Sequence, residues 1–561
     1  MNTRRAGAMR PAVLATAIAV ALAGCAVPAG TDAAGASPAS SGSGGATAAA
    51  TPAGAQPGTQ VAAPSQQDVD TARAEVAKLS TRQVAAQLVV PDLGSVDAGV
   101  RGIGQGYGGV VVMRSALPSG RGAAGAAKAA NARYATAMSG SKRSWPAFIA
   151  VDQEGGPVTR IDAPLTPFPA AMALGAAKDP ALASAVGRAS GSELRGLGFT
   201  VVMAPDADVT TPKDPTIGVR SPGSDPARVA TTALSYVQGY RQAGLVPVVK
   251  HFPGHGSVSA DTHAGTARLT ASRAVLDRRD LVPFRKAVEA GVPAVMTAHV
   301  IATAIDAKRP ASLSRPVTTG VLRQQLGFSG LVVTDALNMG AVTAGTAPGE
   351  ATVRAIEAGA DVALMPADPK AAVSALEEAV ASKRLTRARL DESAVRMIVA
   401  LRGARASVPA AAPGSHRSVA QQVAAATITQ IGGRCGARAV RSAVTVSGGT
   451  AADRAEFTRA AKARGLRIGG ARATKVVLLG GGRYQAGTGG SSGGTTGSGD
   501  VLVALDTPYG LAQGRATTRI AAYGRTPATF DAVVDVLTGK APARGRLPVA
   551  VGASKIGSGC G

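Results

Sequence analysis

The sequence predicts an α/β fold, a (β/α)8 barrel of the TIM type joined to a second, smaller α/β C-terminal domain. Three observations predict it. Between residues 68 and 405, eight short apolar runs alternate with longer helical patterns. Ionisable residues stand just after five of those runs, on the rim where a barrel of this type keeps its chemistry. After a linker of small residues and proline at about 405–416, strand and helix patterns resume over residues 417–561. A doubly wound open sheet is the main structural alternative.

The eight runs are Gln87–Val90, Gly109–Met113, Ala147–Val151, Thr200–Ala204, Val246–Val249, Ala294–Ala298, Leu331–Thr334 and Val362–Met365. Each is too short for a helix and rich in β-branched or small apolar residues, as a strand buried on both faces must be. The segments between them include Ala123–Met138, Pro180–Leu197, Pro226–Ala243, Arg273–Ala290 and Ala371–Ala381, with Ala, Leu, Arg and Glu at helical spacing. In the last third, Ala443–Val446, Lys475–Leu479, Val501–Leu505 and Thr518–Ala522 read as strands. Ala451–Ala463 and Phe530–Leu537 read as helices, and the Gly/Ser/Thr tract 487–499 as a mobile loop.

The N-terminal residues predict export. Arg4, Arg5 and Arg10 precede the apolar segment Pro11–Ala23, which is too short to span a bilayer comfortably. Residues 1–24 therefore read as a signal peptide, and Leu22-Ala23-Gly24-Cys25 resembles a bacterial lipobox with Cys25 as the lipidated residue. Residues 25–67, nearly all Ala, Gly, Ser, Thr, Pro and Gln, cannot bury a core and read as a disordered tether. The expected place is the outer face of the cytoplasmic membrane, facing the cell wall. With Cys25 lipidated, an exported protein permits a disulfide between Cys435 and Cys560.

A net charge of +25 suits attraction to anionic wall polymers or lipid headgroups. Nucleic acid is not expected as a partner, since no such motif occurs and aromatic residues make up only 3% of the chain. Neither a dinucleotide fingerprint, a phosphate loop nor a Gly-x-Ser-x-Gly elbow occurs in a suitable setting, and no metal or cofactor is implied.

What remains is a set of strand-end residues. Asp152-Gln153-Glu154 follow the third run, Asp206 and Asp208 the fourth, Lys250 and His251 the fifth, His299 the sixth and Asp335 the seventh. Three of the five histidines (His251, His255 and His263) fall in one glycine-rich stretch. Asp335 closes a buried strand and is rigidly aimed, as a nucleophile must be. Asp261 stands two residues from His263, and a carboxylate beside an imidazole lets it deliver and recover a proton near neutral pH. Together they describe double-displacement cleavage of a polar bond, with Asp335 attacking and His263 as acid and base.

Lys250-His-Phe-Pro-Gly-His-Gly256, Asp261-Thr-His263, Asp152-Gln-Glu-Gly-Gly-Pro-Val-Thr-Arg160 and Thr334-Asp-Ala-Leu-Asn-Met339 together resemble glycoside hydrolase family 3, in its β-N-acetylhexosaminidase (NagZ-type) branch. The resemblance covers about residues 68–405. It implies Asp335 as nucleophile, His263 with Asp261 as acid/base, and Asp152, Arg160, Arg220, Lys250 and His251 as residues that grip the terminal N-acetylglucosamine. His255, Asp208 and His299 take supporting places. Pro157 stands where many relatives carry arginine. Ala504-Leu-Asp-Thr-Pro-Tyr509 and Gly545-Arg-Leu-Pro-Val549 resemble the second domain of many family 3 hydrolases.

The expected activity is exo-β-N-acetylglucosaminidase action on peptidoglycan-derived fragments by a retaining mechanism. A family 3 β-glucosidase or xylosidase is the alternative among enzymes, and a non-catalytic wall-binding lipoprotein the alternative outside them. His416, alone among small residues, reads as a solvated loop histidine.

Overall fold

The computed structural model describes residues 65–561 apart from 93, 142, 213, 215, 263–264, 345 and 482–497. The signal segment 1–24, Cys25, the tether through residue 64, His263 and most of the Gly/Ser/Thr tract lie outside the described residues.

All eight expected barrel strands form. They are β1 (Val89–Val90), β2 (Gly109–Val111), β3 (Phe148–Val151), β4 (Val201–Val202), β5 (Val246–Phe252), β6 (Ala294–Thr297), β7 (Leu331–Thr334) and β8 (Ala363–Leu364). Six of them pair in parallel in the order β7-β6-β5-β4-β3-β2, and β1 pairs in parallel with β8. Backbone bonds then close the ring. Gly108 N–H donates to Val89 O (3.1 Å) beside β1 and β2, and Thr334 N–H donates to Val362 O (3.0 Å) between β7 and β8. The open doubly wound sheet is thereby excluded.

Alternation along the strands sorts the core. Leu331 and Val333 share one buried cluster with Ala294, Met296, Val246 and Val248. Val332, Val295 and Val249 join a different cluster, with Phe284 and Leu322 of the flanking helices. One period-two pattern thus fills the barrel and glues its helices on.

Helix starts follow the same local chemistry three times. Asp179, Asp225 and Asp368 each accept backbone N–H groups with their side chains, and a proline occupies the first helical position of Pro180–Gly196, Pro226–Gln242 and Pro369–Ala381. This cap places the third helix two residues before the expected Ala371. The expected helix Arg273–Ala290 is instead Arg273–Val275, a wide π-type turn at Leu276–Asp280, and Leu281–Glu289. Pro283 lacks an N–H and so cannot continue a regular ladder there.

The second domain is a six-stranded sheet with β9 (Thr429–Gly432), β10 (Ala443–Gly448), β11 (Arg467–Ile468), β12 (Thr474–Leu479), β13 (Val501–Ala504) and β14 (Thr518–Ala521) in the order β9-β14-β13-β12-β10-β11. Only β9 runs antiparallel to its neighbour. Sequence reading misses β9 and β11, the two edges. Both residues of β11 are exposed, so no apolar run marks it.

The segment before the second domain touches the barrel at its end. Ala411 N–H donates to Ser192 O (2.9 Å), and His416 Nδ1 lies 3.0 Å from Oε1 of the buried Glu193. The expectation for His416 is corrected: a buried carboxylate needs hydrogen-bond partners, and the returning chain supplies them through the His416 ring and, by way of Thr166 Oγ1, its N–H.

Cys435 and Cys560 are bonded, with Cα atoms 5.5 Å apart and a sequence separation of 125. A loop of that length restricts the unfolded chain strongly. Replacing both cysteines with serine is expected to lower the stability of the second domain by roughly 2–5 kcal/mol. Denaturant unfolding of the oxidised protein against the double variant measures it.

Candidate active site

The rim of the barrel gathers most of the expected residues into one network. Lys250 and His251 are still strand residues of β5, longer than expected because Asp206 bridges Lys250 and Phe252 pairs with Thr297 across a bulge. The side chains of both are buried, with Lys250 2% exposed. Lys250 Nζ donates to Asp152 Oδ1 at 2.9 Å and lies 2.7 Å from Glu154 Oε1. Arg220 grips the same Glu154 with Nε (2.9 Å) and Nη2 (2.8 Å), a bidentate pair. Arg160 Nη2 stands 3.6 Å from Asp152 Oδ2.

Local sequence explains these placements. Asp152 follows β3 directly, and a short hairpin, Gln153–Gly155 against Val158–Thr159, carries the chain back. Its turn needs Gly155 and Gly156, both at positive φ, where a Cβ would lie 2.7 Å from Pro169 O and 2.6 Å from Ala170 Cβ respectively. Gln153 clamps the hairpin by accepting from Arg160 N (3.0 Å) and Ile161 N (3.1 Å). Arg220 sits on a turn capped by Asp214, whose carboxylate accepts from the N–H groups of Thr216, Ile217 and Gly218. Val219 beside it packs with Leu547 and Val549 of the second domain, which braces the turn.

A second set of contacts orders the imidazoles. Asp208 Oδ2 lies 2.7 Å from His251 Nδ1, and Asp208 Oδ1 accepts from His255 N at 2.6 Å. Nε2 of His251 faces Arg220 Nη2 at 3.4 Å, so the neutral ring donates from Nδ1 and accepts at Nε2. Nε2 of His255 is 3.2 Å from Thr262 Oγ1. Thr262 is 2% exposed and is held by this bond, one position before the expected acid/base residue in the sequence. Asp261 is half-buried at the start of that loop.

Asp335 follows β7 and is half-buried. Its N–H donates to Thr297 O (2.9 Å), and its Oδ1 accepts from Ala336 N (2.8 Å). His299, wholly buried after β6, holds the next carbonyl with Nε2 to Ala336 O (2.9 Å) and is itself held by Ser312 at Nδ1 (2.7 Å). The strand-end carboxylate is therefore fixed by the neighbouring strand and by an imidazole beneath it.

Burial sets the protonation of this region. It pushes His251 down to about 4, aided by the Arg220 charge, and His255 down to about 4, aided by His251. Burial pushes Asp208 up to about 7 against the His255 N–H that favours its charged form. Asp206 rises well above the carboxylate range through burial and the neighbouring Asp208. Asp152 and Glu154 go the other way. Burial opposes their ionisation, but Lys250 then Arg160 for Asp152, and Arg220 then Lys250 for Glu154, hold both below the usual range. Burial likewise disfavours charged Lys250, yet Asp152 and Glu154 raise it.

Below about pH 7, Asp208 takes up a proton and no longer fixes the Nδ1–H of His251 as an anion. If His251 binds substrate, as the sequence resemblance implies, affinity is then expected to fall, so KM falls as pH rises through about 7. In Asp208→Asn the inflection disappears and KM stays high. KM measured across about pH 5 to 9 for both proteins checks it.

Asp206, Asp208 and His251 present ligand atoms within 4.8 Å of one another, a spacing a cation could use. Arg220 Nη2 already stands 3.7 Å from Asp206 and supplies positive charge there.

Two residues central to the network receive no role from the sequence. Glu154 ties Arg220 to Lys250, and Thr262 holds the His255 ring. Glu154 is legible as a strand-end carboxylate two residues after Asp152, but nothing local shows its partners. A threonine between Asp261 and His263 carries no such signal.

Fixed charges thus surround a strand-end carboxylate at the mouth of a parallel barrel. Residues 107–400 match the Glycosyl hydrolase family 3 N terminal domain, and the chain belongs to glycoside hydrolase family 3. Among its relatives, Beta-hexosaminidase A of Pseudoalteromonas piscicida is 35% identical over 324 residues, 52% of this chain and 54% of that protein. The chain thus spans about half the length of that relative. A Beta-hexosaminidase of Alkalilimnicola ehrlichii is 42% identical over 238 residues, 41% of this chain and 68% of the relative. A solved family 3 β-N-acetylglucosaminidase from a Paenibacillus species superposes with a TM-score of 0.73 at 29% identity, covering 84% of this chain and 99% of that one. This likeness extends through the second domain and bears out the two-domain fold.

Proposed function

We propose that this glycoside hydrolase is an exo-β-N-acetylglucosaminidase that removes terminal N-acetylglucosamine from peptidoglycan-derived fragments. The observation that carries the reading is the Asp152–Lys250–Glu154–Arg220 network, which draws three separated motifs into one charged grip for a terminal sugar. The names of its family relatives, β-hexosaminidases and a β-N-acetylglucosaminidase, supply the sugar.

In the proposed mechanism Asp335 attacks the anomeric carbon, and His263 gives its proton to the departing glycosidic oxygen. The covalent glycosyl-enzyme is then opened by water, whose proton returns to His263, with Asp261 orienting the ring and stabilising its charged form. Configuration at the anomeric carbon is retained. Ion pairing in the rim, with Lys250, Arg220 and Arg160 set against Asp152 and Glu154, keeps these residues ordered before the sugar arrives.

The same proposal places the protein outside the cytoplasmic membrane, held by lipid on Cys25. No helix among the described residues is long and apolar enough to cross a membrane. Mass spectrometry of a muropeptide mixture incubated with the protein tests the activity. Loss of one terminal N-acetylhexosamine from each susceptible species supports it, and an unchanged mixture contradicts it. Membrane fractionation tests the anchor: Cys25→Ser is expected to move the protein to the soluble fraction, and a soluble native protein sinks that part.

A further inference from the structure

A cleft of about 1080 Å³ opens between the flank of the barrel and the second domain and shares Glu154 and Arg160 with the rim network. Asp335, Lys250 and His251 do not line it. Its walls are the hairpin after β3, the segment 162–168, the helices Pro180–Gly196 and Pro226–Gln242, and the second-domain stretches 505–506 and 523–528. That volume is ample for a ligand larger than a monosaccharide.

Charge in the cleft does not cancel. Arg114 is satisfied by Asp162, Arg525 by Asp506 and Asp453, and Asp531 by Arg459 and Arg464. Arg121 and Arg417 also line the cleft, are exposed, and make no ion pair or side-chain hydrogen bond among the described residues. Arg160 Nε is buried without a hydrogen-bond partner, and so is the hydroxyl of Tyr236, a residue only 2% exposed. Between these polar groups lie Pro164, Leu165, Phe168 and Tyr523, an apolar floor.

We infer that this cleft is a second binding site, for a carboxylate-bearing peptide. Free guanidinium groups match carboxylates in fork geometry, and an aromatic and proline floor suits short aliphatic side chains better than it suits sugar hydroxyls. The inference rests on the proposed wall-fragment substrate only for its choice of peptide. Because Glu154 and Arg160 belong both to the cleft wall and to the sugar network, a peptide carried by the same glycan fragment is read beside the sugar.

Calorimetric titration of the full chain with N-acetylmuramyl-L-alanyl-D-isoglutamine, which has no terminal N-acetylglucosamine, tests this. The titration is run with the catalytic rim saturated by free N-acetylglucosamine. Binding is expected to persist and to weaken about tenfold in Arg417→Ala and in Arg121→Ala. Cleavage of 4-nitrophenyl N-acetyl-β-glucosaminide stays at the native rate in both variants. Absence of binding, its removal by N-acetylglucosamine, or native affinity in both variants overturns the inference, as does displacement by inorganic phosphate at matching concentration. Failure of the proposed activity appears separately, as a native protein that binds the peptide and cleaves no chromogenic substrate.

Discussion

Replacing Asp335 by alanine is expected to lower kcat by roughly 10⁴-fold or more while leaving the protein folded. The chemistry requires the first part: without the carboxylate no covalent intermediate forms, and the neighbouring groups retain only binding and proton transfer. The structure supports the second. The Asp335 backbone is pinned through Thr297 O, and the following carbonyl by His299, neither of which depends on the carboxylate. Stability should therefore change by no more than about 1 kcal/mol. Azide supplies the decisive readout. It fits the space left by the carboxylate and should restore turnover, giving the α-glycosyl azide by direct inversion. An Asp335→Ala protein with near-native kcat, or an azide adduct of β configuration, removes Asp335 from the nucleophile's role.

Replacing Glu154 by alanine is expected to have the largest effect on stability, about 3–5 kcal/mol. Glu154 is 8% exposed and faces two buried cations, Lys250 and Arg220. Its loss takes the bidentate partner from Arg220 and one of two close carboxylates from Lys250, which keeps Asp152 at 2.9 Å. Uncompensated buried charge is costlier than the pair was worth. KM should rise by roughly 100-fold, with kcat less affected, because the residue orders the grip and not the reacting bond. Glu154→Gln, which keeps the shape and one acceptor, should recover part of both. The pH dependence follows from the depressed carboxyl. Its stabilisation is complete above the ordinary value of 4.5 and is lost as pH falls below it, so Glu154→Gln flattens the acid limb of the stability curve. Thermal unfolding and steady-state kinetics of the two variants measure these effects, and a native melting temperature in Glu154→Ala contradicts the account.

The barrel was legible because its strands are apolar throughout and end in polar residues. Leu331–Thr334 could be read to the residue, since Gly330 precedes it and Asp335 follows. Convergence of the rim residues was legible as well, as a property of barrel topology. Partnership was not. That Arg220 grips Glu154, and that Asp208 orders both His251 and His255, depends on a turn capped by Asp214 and on backbone approaches that no local pattern encodes. The packing of 411–416 onto Pro180–Gly196 was hidden for a related reason: a stretch of small residues looks like linker whether or not a groove receives it. The edge strands β9 and β11 lack the apolar runs that marked their neighbours.

One comparison bears most directly on the central claim that this family 3 barrel is a β-N-acetylhexosaminidase. It is the release of 4-nitrophenol from the N-acetyl-β-glucosaminide and from the matching β-glucoside by the native protein and by Asp335→Ala. The account predicts cleavage of the N-acetyl substrate in strong preference to the glucoside, and loss of that cleavage in the variant. Preference for the glucoside, or no Asp335-dependent cleavage of either substrate, contradicts it.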